Sequence, residues 1–523
     1  MKKLCLAIAA CIWLSASLFA QVVETEKTYE ISRKSKRGYL AGLDYDESAK
    51  TYQLNYITKL TDRKLKYEYY KFDNNFNFLS DGEGEEKFEQ MKLKFSWFKF
   101  RELLYTIEGV TVENNMTGTL VMKRKKVDFK YDFWIAGYHK ETTILEKLKP
   151  KTDDGRKMTL ITYAEDEKTG DVLVLAAIKY KIGKNMAEKN PRPYDLHFIR
   201  FNKDLDIVAE TLIPFEKAQS KSAARIINEV NLEDPENPGI QSFVVVMSSF
   251  EDKNTKPTCT YLRLGADTKI MHRESFSSLA NFWNIDEIIH NPEKDEMYLF
   301  GPSVNDQGKY TNGKFKAVQL VKINPQGKKE YLTETNLEEF SAKLKTPPLQ
   351  KKTPEYEGKK FEFSTYKIAS NGDFFVAGQN FKIDQGGDDK GGKNFKDIMG
   401  FQFDGKGVLK SQYGVDTKEN GKEANDFGTP QAFIESSDGN MFWLLREIKD
   451  YNSTYNKLLT YPRLGKISSK EGTISDFLTV GKSEGYYLDP KYPFLETDKG
   501  NSVVFFGANK SGKSLWFCRV NLK

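Results

Sequence analysis

The chain has 523 residues, with 80 Lys and Arg against 74 Asp and Glu and a formal net charge of +6. The two signs of charge are interspersed, and the long basic stripe and recognisable module of a nucleic-acid-binding protein are missing, so no nucleic-acid partner is expected. A chain of this length buries a large core by itself. Beyond the first twenty residues only Cys259 and Cys518 remain, and one possible pair is no disulfide framework.

The first twenty residues have the pattern of a secretory signal peptide. Lys2 and Lys3 precede an apolar stretch that runs from Leu4 to Phe19, and the small residue Ala20 follows it. That stretch is short for a membrane span. We therefore predict a signal peptide at residues 1–20, one domain at residues 21–523, and an exported protein in the periplasm or at the outer membrane, at most peripheral to the membrane. Cys11 leaves lipidation open as an alternative.

Short basic runs occur at residues 33–37 and 123–126. Lysines on the edge strands of a sheet discourage pairing with other molecules. Both runs are interpreted as exposed strand edges.

One unit recurs along the rest of the chain, in which a polar turn with Asp, Asn or Gly precedes a strongly β-prone apolar strand. The turns at Gly372, Gly439 and Gly500 are the clearest, because glycine supplies the positive φ of a tight hairpin. The eight copies of the strand fall near residues 52, 103, 172, 243, 297, 374, 441 and 503, and the copy at Leu103 is degenerate.

A third strand and a weaker fourth strand follow most copies, as at residues 318–323 and 328–332. Four antiparallel strands per repeat are typical of a β-propeller blade. In these repeats, residues 22–523 resemble exported bacterial β-propeller repeat proteins, and the resemblance implies a fold without fixing an activity. The expected fold is all-β, a β-propeller of eight four-stranded blades closed by its N-terminal and C-terminal strands, with seven blades or two tandem β-sandwiches as alternatives.

Residues 507–514 fit the nucleotide-binding pattern G-x-x-x-x-G-K-[ST] at every position. A P-loop continues into a helix whose N-terminal amides hold the phosphates. Here the residues that follow alternate with period two, as Trp516, Cys518, Val520 and Leu522 show, and this period predicts a strand. We expect a hairpin loop at 507–514, no nucleotide and no P-loop NTPase.

No catalytic, cofactor-binding or metal-binding motif is found. His139, His197, His272 and His290 are scattered, and the acidic loop at residues 384–389 lacks the order of a calcium loop, so it is interpreted as a flexible glycine-rich loop. Cys259 and Cys518 fall in the fourth and eighth repeats, too far apart to pair in a ring, so two free thiols are expected.

Function is expected in the long loops between second and third strands, which gather on one face of a propeller. These loops lie at residues 181–194, 250–257, 302–314, 379–396 and 446–461, and the partner-binding candidates in them are Lys184, Arg192, Lys382, Arg446, Tyr451 and Tyr455. A basic and aromatic rim suits an anionic glycan or a protein partner.

These loops predict a non-enzymatic binding or scaffold protein of the bacterial cell envelope. The alternative is an exported carbohydrate-active hydrolase or lyase with acidic residues at the central channel. Two or three carboxylates pointing inward at the channel mouth would favour the enzyme.

Overall fold

A computed structural model describes residues 23–60, 64–87, 105–132, 137–166, 168–179, 192–229, 239–249, 255–304, 314–383, 392–417, 426–452, 457–481 and 485–523. The predicted signal peptide at residues 1–20, the acidic loop at 384–389, Lys184 and Tyr455 all lie outside these ranges.

The fold is all-β, and the described strands form eight sheets that follow one another along the chain. Sheet 1 contains β2 (Tyr39–Asp46), β3 (Thr51–Leu60), β4 (Lys64–Phe72) and β5 (Phe78–Lys87). Sheet 2 contains β6 (Tyr105–Asn114), β7 (Leu120–Asp132) and β8 (Gly137–Leu148). Sheet 3 contains β9 (Met158–Glu165), β10 (Val172–Ile178), β11 (Leu196–Phe201) and β12 (Ile207–Ile213). Sheet 4 contains β13 (Gln219–Asn228), β14 (Ile240–Ser249), β15 (Thr258–Gly265) and β16 (Ile270–Ser277).

The second half of the chain repeats this organisation with small additions. Sheet 5 contains β17 (Phe282–Trp283), β18 (Glu287–Asn291), β19 (Glu296–Val304), β20 (Ala317–Ile323) and β21 (Lys329–Asn336). Sheet 6 contains β22 (Leu344–Lys345), β23 (Phe361–Ile368), β24 (Phe374–Ile383), β25 (Lys393–Phe403) and β26 (Leu409–Val415). Sheet 7 contains β27 (Gln431–Glu435), β28 (Met441–Asn452), β29 (Lys457–Ile467) and β30 (Leu478–Thr479). Sheet 8 contains β1 (Val23–Glu30), β31 (Tyr486–Leu488), β32 (Phe494–Thr497), β33 (Ser502–Asn509) and β34 (Ser514–Asn521).

Neighbours within each sheet are antiparallel, except that β22 runs parallel to β26. In sheets 3 to 8 the second and third strands carry apolar runs that are buried on both faces. In β14, for example, Val244 and Val246 pack toward sheet 5, whereas Phe243 and Val245 pack toward sheet 3. A strand covered on both faces is a continuous hydrophobic run rather than an alternating one.

Seven hydrophobic clusters join successive sheets among the described residues. They connect sheets 2 and 3, 3 and 4, 4 and 5, 5 and 6, 6 and 7, 7 and 8, and finally 8 and 1. The core is therefore a series of layers between sheets.

The N-terminal strand β1 lies in the last sheet. It pairs antiparallel with β34, with Thr28 opposite Trp516, and the indole Nε1 of Trp516 donates a hydrogen bond to Glu26 Oε1 at 2.7 Å. The pairing of the N-terminal and C-terminal strands in one sheet agrees with the sequence prediction.

Sheet 2 departs from the repeat predicted for it. The turn at Asn115–Gly118 leads into β7, so the buried second strand begins at Leu120. Leu103 lies outside the described residues, and residues 105–107 of the predicted copy belong to the first strand, β6. The apolar start of this second strand was missed in the sequence because the basic residues 123–126 follow it directly. These residues lie in β7 between β6 and β8, and not on an edge.

The basic run at residues 33–37 is a helix rather than a strand edge. In α1 (Arg33–Arg37) the preceding Ser32 side chain accepts hydrogen bonds from the backbone N–H groups of Lys34 and Ser35, which is an N-cap. A second helix, α2 (Leu337–Ala342), begins with a capping box formed by Asn336 and Glu339. No helix in the described part of the chain is long and apolar enough to cross a membrane.

Residues 507–514 form the turn of a hairpin, as predicted. Asn509 Oδ1 accepts the backbone N–H groups of Lys513 and Ser514 at 3.0 and 3.3 Å, and strand β34 follows. The two amides are thus bonded within the turn. Cys259 on β15 and Cys518 on β34 are free and buried in different sheets, as expected.

Candidate active site

The first strand of sheet 5 is interrupted between β17 and β18. Around the interruption, Asn284 N donates to Pro302 O and Asp286 N donates to Phe300 O, each at 3.0 Å. Gly301 stands opposite, and a Cβ at this position would lie 1.9 Å from Asn284 O. Because Gly301 has no side chain, the interrupted strand can approach β19 closely. The irregular backbone of that strand changes the direction in which the neighbouring side chains point.

The same arrangement recurs in two further sheets. A Cβ on Gly378 would lie 2.1 Å from Glu362 O, and one on Gly507 would lie 1.9 Å from Tyr487 O. In each sheet a glycine that ends the apolar run of the second strand faces an irregular part of the first strand.

A cleft of about 500 Å³ opens between the first strands of sheets 5 and 6. It contains three carboxylic acids on a largely aromatic lining, and its residues are Asp286, Glu287, Pro302, Phe315, Phe361, Glu362, Phe363, Ser364, Tyr366, Phe381 and Lys393. The acids come from both walls: Asp286 and Glu287 from sheet 5 and Glu362 from sheet 6.

Asp286 has the most perturbed carboxyl group of the three. Asp286 is exposed to solvent, yet the protein atoms packed near its carboxyl group partly desolvate it, and this desolvation raises its pKa from 3.8 to about 6. A hydrogen bond from the Asn284 side chain favours the charged form and opposes the shift, whereas the nearby Glu287 charge adds to it. The result is an acid that still holds its proton in mildly acidic solution.

The other two acids are paired with cations. Arg225 Nη1, from the first strand of sheet 4, donates to Glu287 Oε1 at 2.7 Å and to Ile288 O at 2.6 Å. Glu362 forms an ion pair with Lys393, whose ammonium also lies 5.0 Å from the centre of the Phe381 ring. The cleft therefore combines one protonatable acid with two carboxylates held by basic groups.

Tyr366 completes the cleft on the sheet 6 side. Its ring is half-buried and makes an edge contact with Phe300 at a centroid distance of 6.0 Å. Desolvation, with smaller contributions from the charges of Asp286 and Glu287, raises the pKa of the Tyr366 hydroxyl well above its ordinary value of 10. Tyr366 is consequently a hydrogen-bond donor that keeps its proton.

A second cavity, named the lysine cavity below, has a volume of about 790 Å³, adjoins the cleft and shares Phe381 with it. It is lined by five lysines, one acid and three other residues: Lys314, Lys359, Lys360, Lys382, Lys396, Asp397, Asn380, Phe381 and Ile383. Within the described ranges, no group of three or more His, Cys, Asp or Glu side chains is arranged to hold a metal ion.

The four partner-binding candidates that the structure describes lie in three different sheets. Lys382 lines the lysine cavity, whereas Arg192 lies before β11 in sheet 3, with its Nε 3.8 Å from Asp195 Oδ2. Arg446 and Tyr451 lie on β28 in sheet 7, where burial lowers the pKa of Arg446 and the Tyr451 ring contacts Phe427. The roles of these residues in partner binding stay predictions.

Sequence reasoning missed the acids of the cleft, because Asp286, Glu287 and Glu362 belong to no catalytic motif. One signal was available: Gly301 and Gly378 end apolar second strands, and a glycine there implies a close backbone approach by the preceding strand. The acids lie on the strands that make this approach.

No protein-family model matches the chain, and no curated protein matches it. Among solved structures, the alpha-L-arabinanase of Penicillium chrysogenum is 9% identical, with 69% of this chain and 93% of that chain covered and a TM-score of 0.26. The polysaccharide lyase Uly1 is 9% identical over 79% and 90% of the two chains, with a TM-score of 0.26. A variant of the Synechocystis apocarotenoid oxygenase is 11% identical over 79% and 93%, with a TM-score of 0.30.

The successive antiparallel sheets of the described residues agree with the predicted all-β fold class at the coarse level. The prediction of a non-enzymatic binding or scaffold protein is contradicted, because the similar structures are enzymes that include an arabinanase and a polysaccharide lyase. That prediction is wrong and is dropped. At such low similarity none of them assigns a role to a residue of this chain, so a catalytic role has to rest on the side chains of the cleft.

Proposed function

We propose that this chain is an exported enzyme that hydrolyses glycosidic bonds in the cleft between sheets 5 and 6. The observation that carries the proposal is Asp286, a carboxyl group with its pKa raised to about 6 in a cleft whose opposite wall bears Glu362. Glycosidases use two carboxyl groups in this way, one protonated and one ionised.

The proposal includes an eight-bladed propeller in which each sheet is one blade and β1 closes the ring. Support comes from the succession of clusters from sheet 2 through sheet 8 to sheet 1 and from the pairing of β1 with β34. In such a ring the first strands line the central channel. Asp286, Glu287 and Glu362 then face the channel, which is the arrangement expected of an enzyme.

In the proposed reaction, Asp286 donates its proton to the glycosidic oxygen as the bond to the anomeric carbon breaks. A water molecule attacks that carbon, and Glu362 accepts the proton that the water loses. The Tyr366 hydroxyl donates a hydrogen bond to the sugar without giving up its proton. The half-buried rings of Phe363 and Tyr366 offer an apolar surface to the sugar ring.

Hydrolysis is proposed rather than elimination because the cleft supplies a proton donor for the leaving oxygen, Asp286, together with a base for the attacking water, Glu362. The raised pKa of Tyr366 and that of Asp286 keep both groups protonated at the pH where an acid catalyst works. These two residues suit proton donation.

The test is the release of new reducing ends from a panel of neutral, carboxylated and sulfated polysaccharides. Asp286→Asn and Glu362→Gln should each lower the rate by about 10²–10⁴-fold, the usual contribution of a general acid or base. Asp267→Asn is the matched control, because Asp267 lies in an exposed hairpin turn of sheet 4 and pairs with Lys269. A folded chain that cleaves no glycan, or an Asp286→Asn variant with full activity, contradicts the proposal.

Export is part of the proposal and rests on residues 1–20. Fusing this segment to a reporter enzyme that is active only outside the cytoplasm tests it. Activity of the fusion, lost when Lys2 and Lys3 are replaced by glutamate, is the expected result.

A further inference from the structure

The lysine cavity next to the cleft carries an excess of positive charge, which the hydrolysis of a neutral glycan does not need. Five lysines and one acid, Asp397, line it. Lys359 is paired with Glu357. Among the described residues, no carboxylate lies within ion-pair distance of Lys314, Lys360, Lys382 or Lys396. Four lysines without an ion-pair partner among the described residues therefore line one cavity.

The backbone that carries these lysines is fixed. Lys314 and Lys360 form an antiparallel bridge, and Lys360 O accepts a hydrogen bond from Phe381 N at 3.0 Å. Lys396 O accepts one from the Gln379 side chain at 2.7 Å. The lysines thus project from anchored strand ends, so their charges stay near the cavity even while the side chains move.

The cavity also contains an unsatisfied polar group. Asn380 is 5% exposed, and its side-chain oxygen Oδ1 has no hydrogen-bond partner among the described residues. A buried acceptor without a donor costs free energy. A ligand that carries hydroxyl groups next to anionic groups would supply that donor.

We propose that the lysine cavity binds anionic groups of the glycan whose bond is cleaved beside Asp286, so that the substrate is a polyanionic polysaccharide. This inference rests on the proposed function and deepens it. Uronate carboxylates and sulfate esters share the required chemistry, a negative charge repeated along the chain with hydroxyl groups between. Phe381 lines both the cleft and the cavity, so one chain can occupy both.

Binding is measured on Asp286→Asn, which holds the glycan without cleaving it. The probes are oligogalacturonate for carboxylates, dextran sulfate for sulfates and linear arabinan as the neutral glycan. We expect at least one anionic probe to bind more tightly than arabinan and to weaken as salt rises, because exposed charges are screened. Adding Lys382→Gln or Lys396→Gln should weaken its binding about three- to ten-fold each at low salt.

Lys470→Gln is the matched control, because Lys470 is an exposed lysine in the turn after β29 and lines neither cavity. Equal binding of arabinan and both anionic probes overturns the inference, as does equal weakening by the control variant. Tighter binding of a DNA oligonucleotide than of either anionic glycan also overturns it, in favour of a nucleic-acid site.

The two proposals fail separately. Lysine-dependent binding of an anionic glycan without any cleavage by the unsubstituted chain would retain the binding site and reject the hydrolase. Rapid cleavage of arabinan, unchanged by Lys382→Gln and Lys396→Gln, would retain the hydrolase and reject the anionic substrate.

Discussion

Replacing Asn284 by alanine should move the pH dependence of glycan hydrolysis to higher pH. The Asn284 side chain donates a hydrogen bond to Asp286, and this bond stabilises the ionised carboxylate. Without it the ionised form is less stable, so the pKa of Asp286 rises from about 6. Because Asp286 must be protonated to act, the rate then falls at a higher pH.

The expected shift follows from the hydrogen bond. A net contribution of about 1 kcal/mol for one bond, at about 1.4 kcal/mol per pKa unit, gives roughly half to one unit, and contact with solvent favours the smaller value. At pH 7 the protonated fraction of Asp286 would rise from about 10% to between about 25% and 50%. Hydrolysis at pH 7 should therefore become about two- to five-fold faster in Asn284→Ala.

The assay is the initial rate of reducing-end release between pH 4 and pH 9, with substrate well below saturation. Asn291→Ala is the control, because Asn291 lies at the far end of β18 and does not line the cleft. A profile of Asn284→Ala that coincides with that of the control, or that moves to lower pH, refutes the role assigned to Asp286.

Four further predictions concern stability and reactivity. The pKa of Asp286 is about 6 in the folded chain, above its ordinary value of 3.8. The stabilising contribution of Asp286 is therefore present below about pH 4 and is lost as the pH rises through about 6. Across that window the Tm of the unsubstituted chain should fall relative to that of Asp286→Asn. Gly301→Ala should lower the free energy of unfolding by about 1–3 kcal/mol and remove most of the activity, since its Cβ would lie 1.9 Å from Asn284 O. For Gly109→Ala the added Cβ would meet no described atom within 4 Å, and the free energy of unfolding in urea should change by less than about 0.5 kcal/mol. Cys259 and Cys518 should react with a thiol reagent only after unfolding, because both are buried and burial raises the pKa of Cys518 to about 12. Two labels are expected on the unreduced, unfolded chain that starts at residue 21. No label on that chain would mean a disulfide. Starting the chain at residue 31 should lower the urea midpoint because Trp516 loses its bond to Glu26 and β34 loses its partner strand, while starting it at residue 23 should not.

The amino-acid sequence by itself determined the strands and the turns between them. Apolar runs such as Phe243–Val246, bounded by turn residues, predict strands covered on both faces, and a glycine of positive φ such as Gly439 marks the hairpin before the next strand. These signals are local, since they depend on side-chain polarity and on backbone freedom within a few residues. For the same reason the pattern at residues 507–514 was correctly assigned to a hairpin.

Local pattern was insufficient where neighbouring residues masked it. The basic residues 123–126 concealed the strand β7, and the cap at Ser32 turned a charged run into a helix. In both places composition was given more weight than hydrogen bonding, which is strand pairing for β7 and an N-cap for the helix.

Only the tertiary structure decided the candidate site. Asp286 and Glu362 are distant in sequence and share no motif, and they line one cleft because sheets 5 and 6 pack side by side. The pKa of Asp286 depends on the protein around it, which no window of sequence contains. The charge of each lysine in the cavity was visible in the sequence, but their convergence was set by the packing of strands from different parts of the chain.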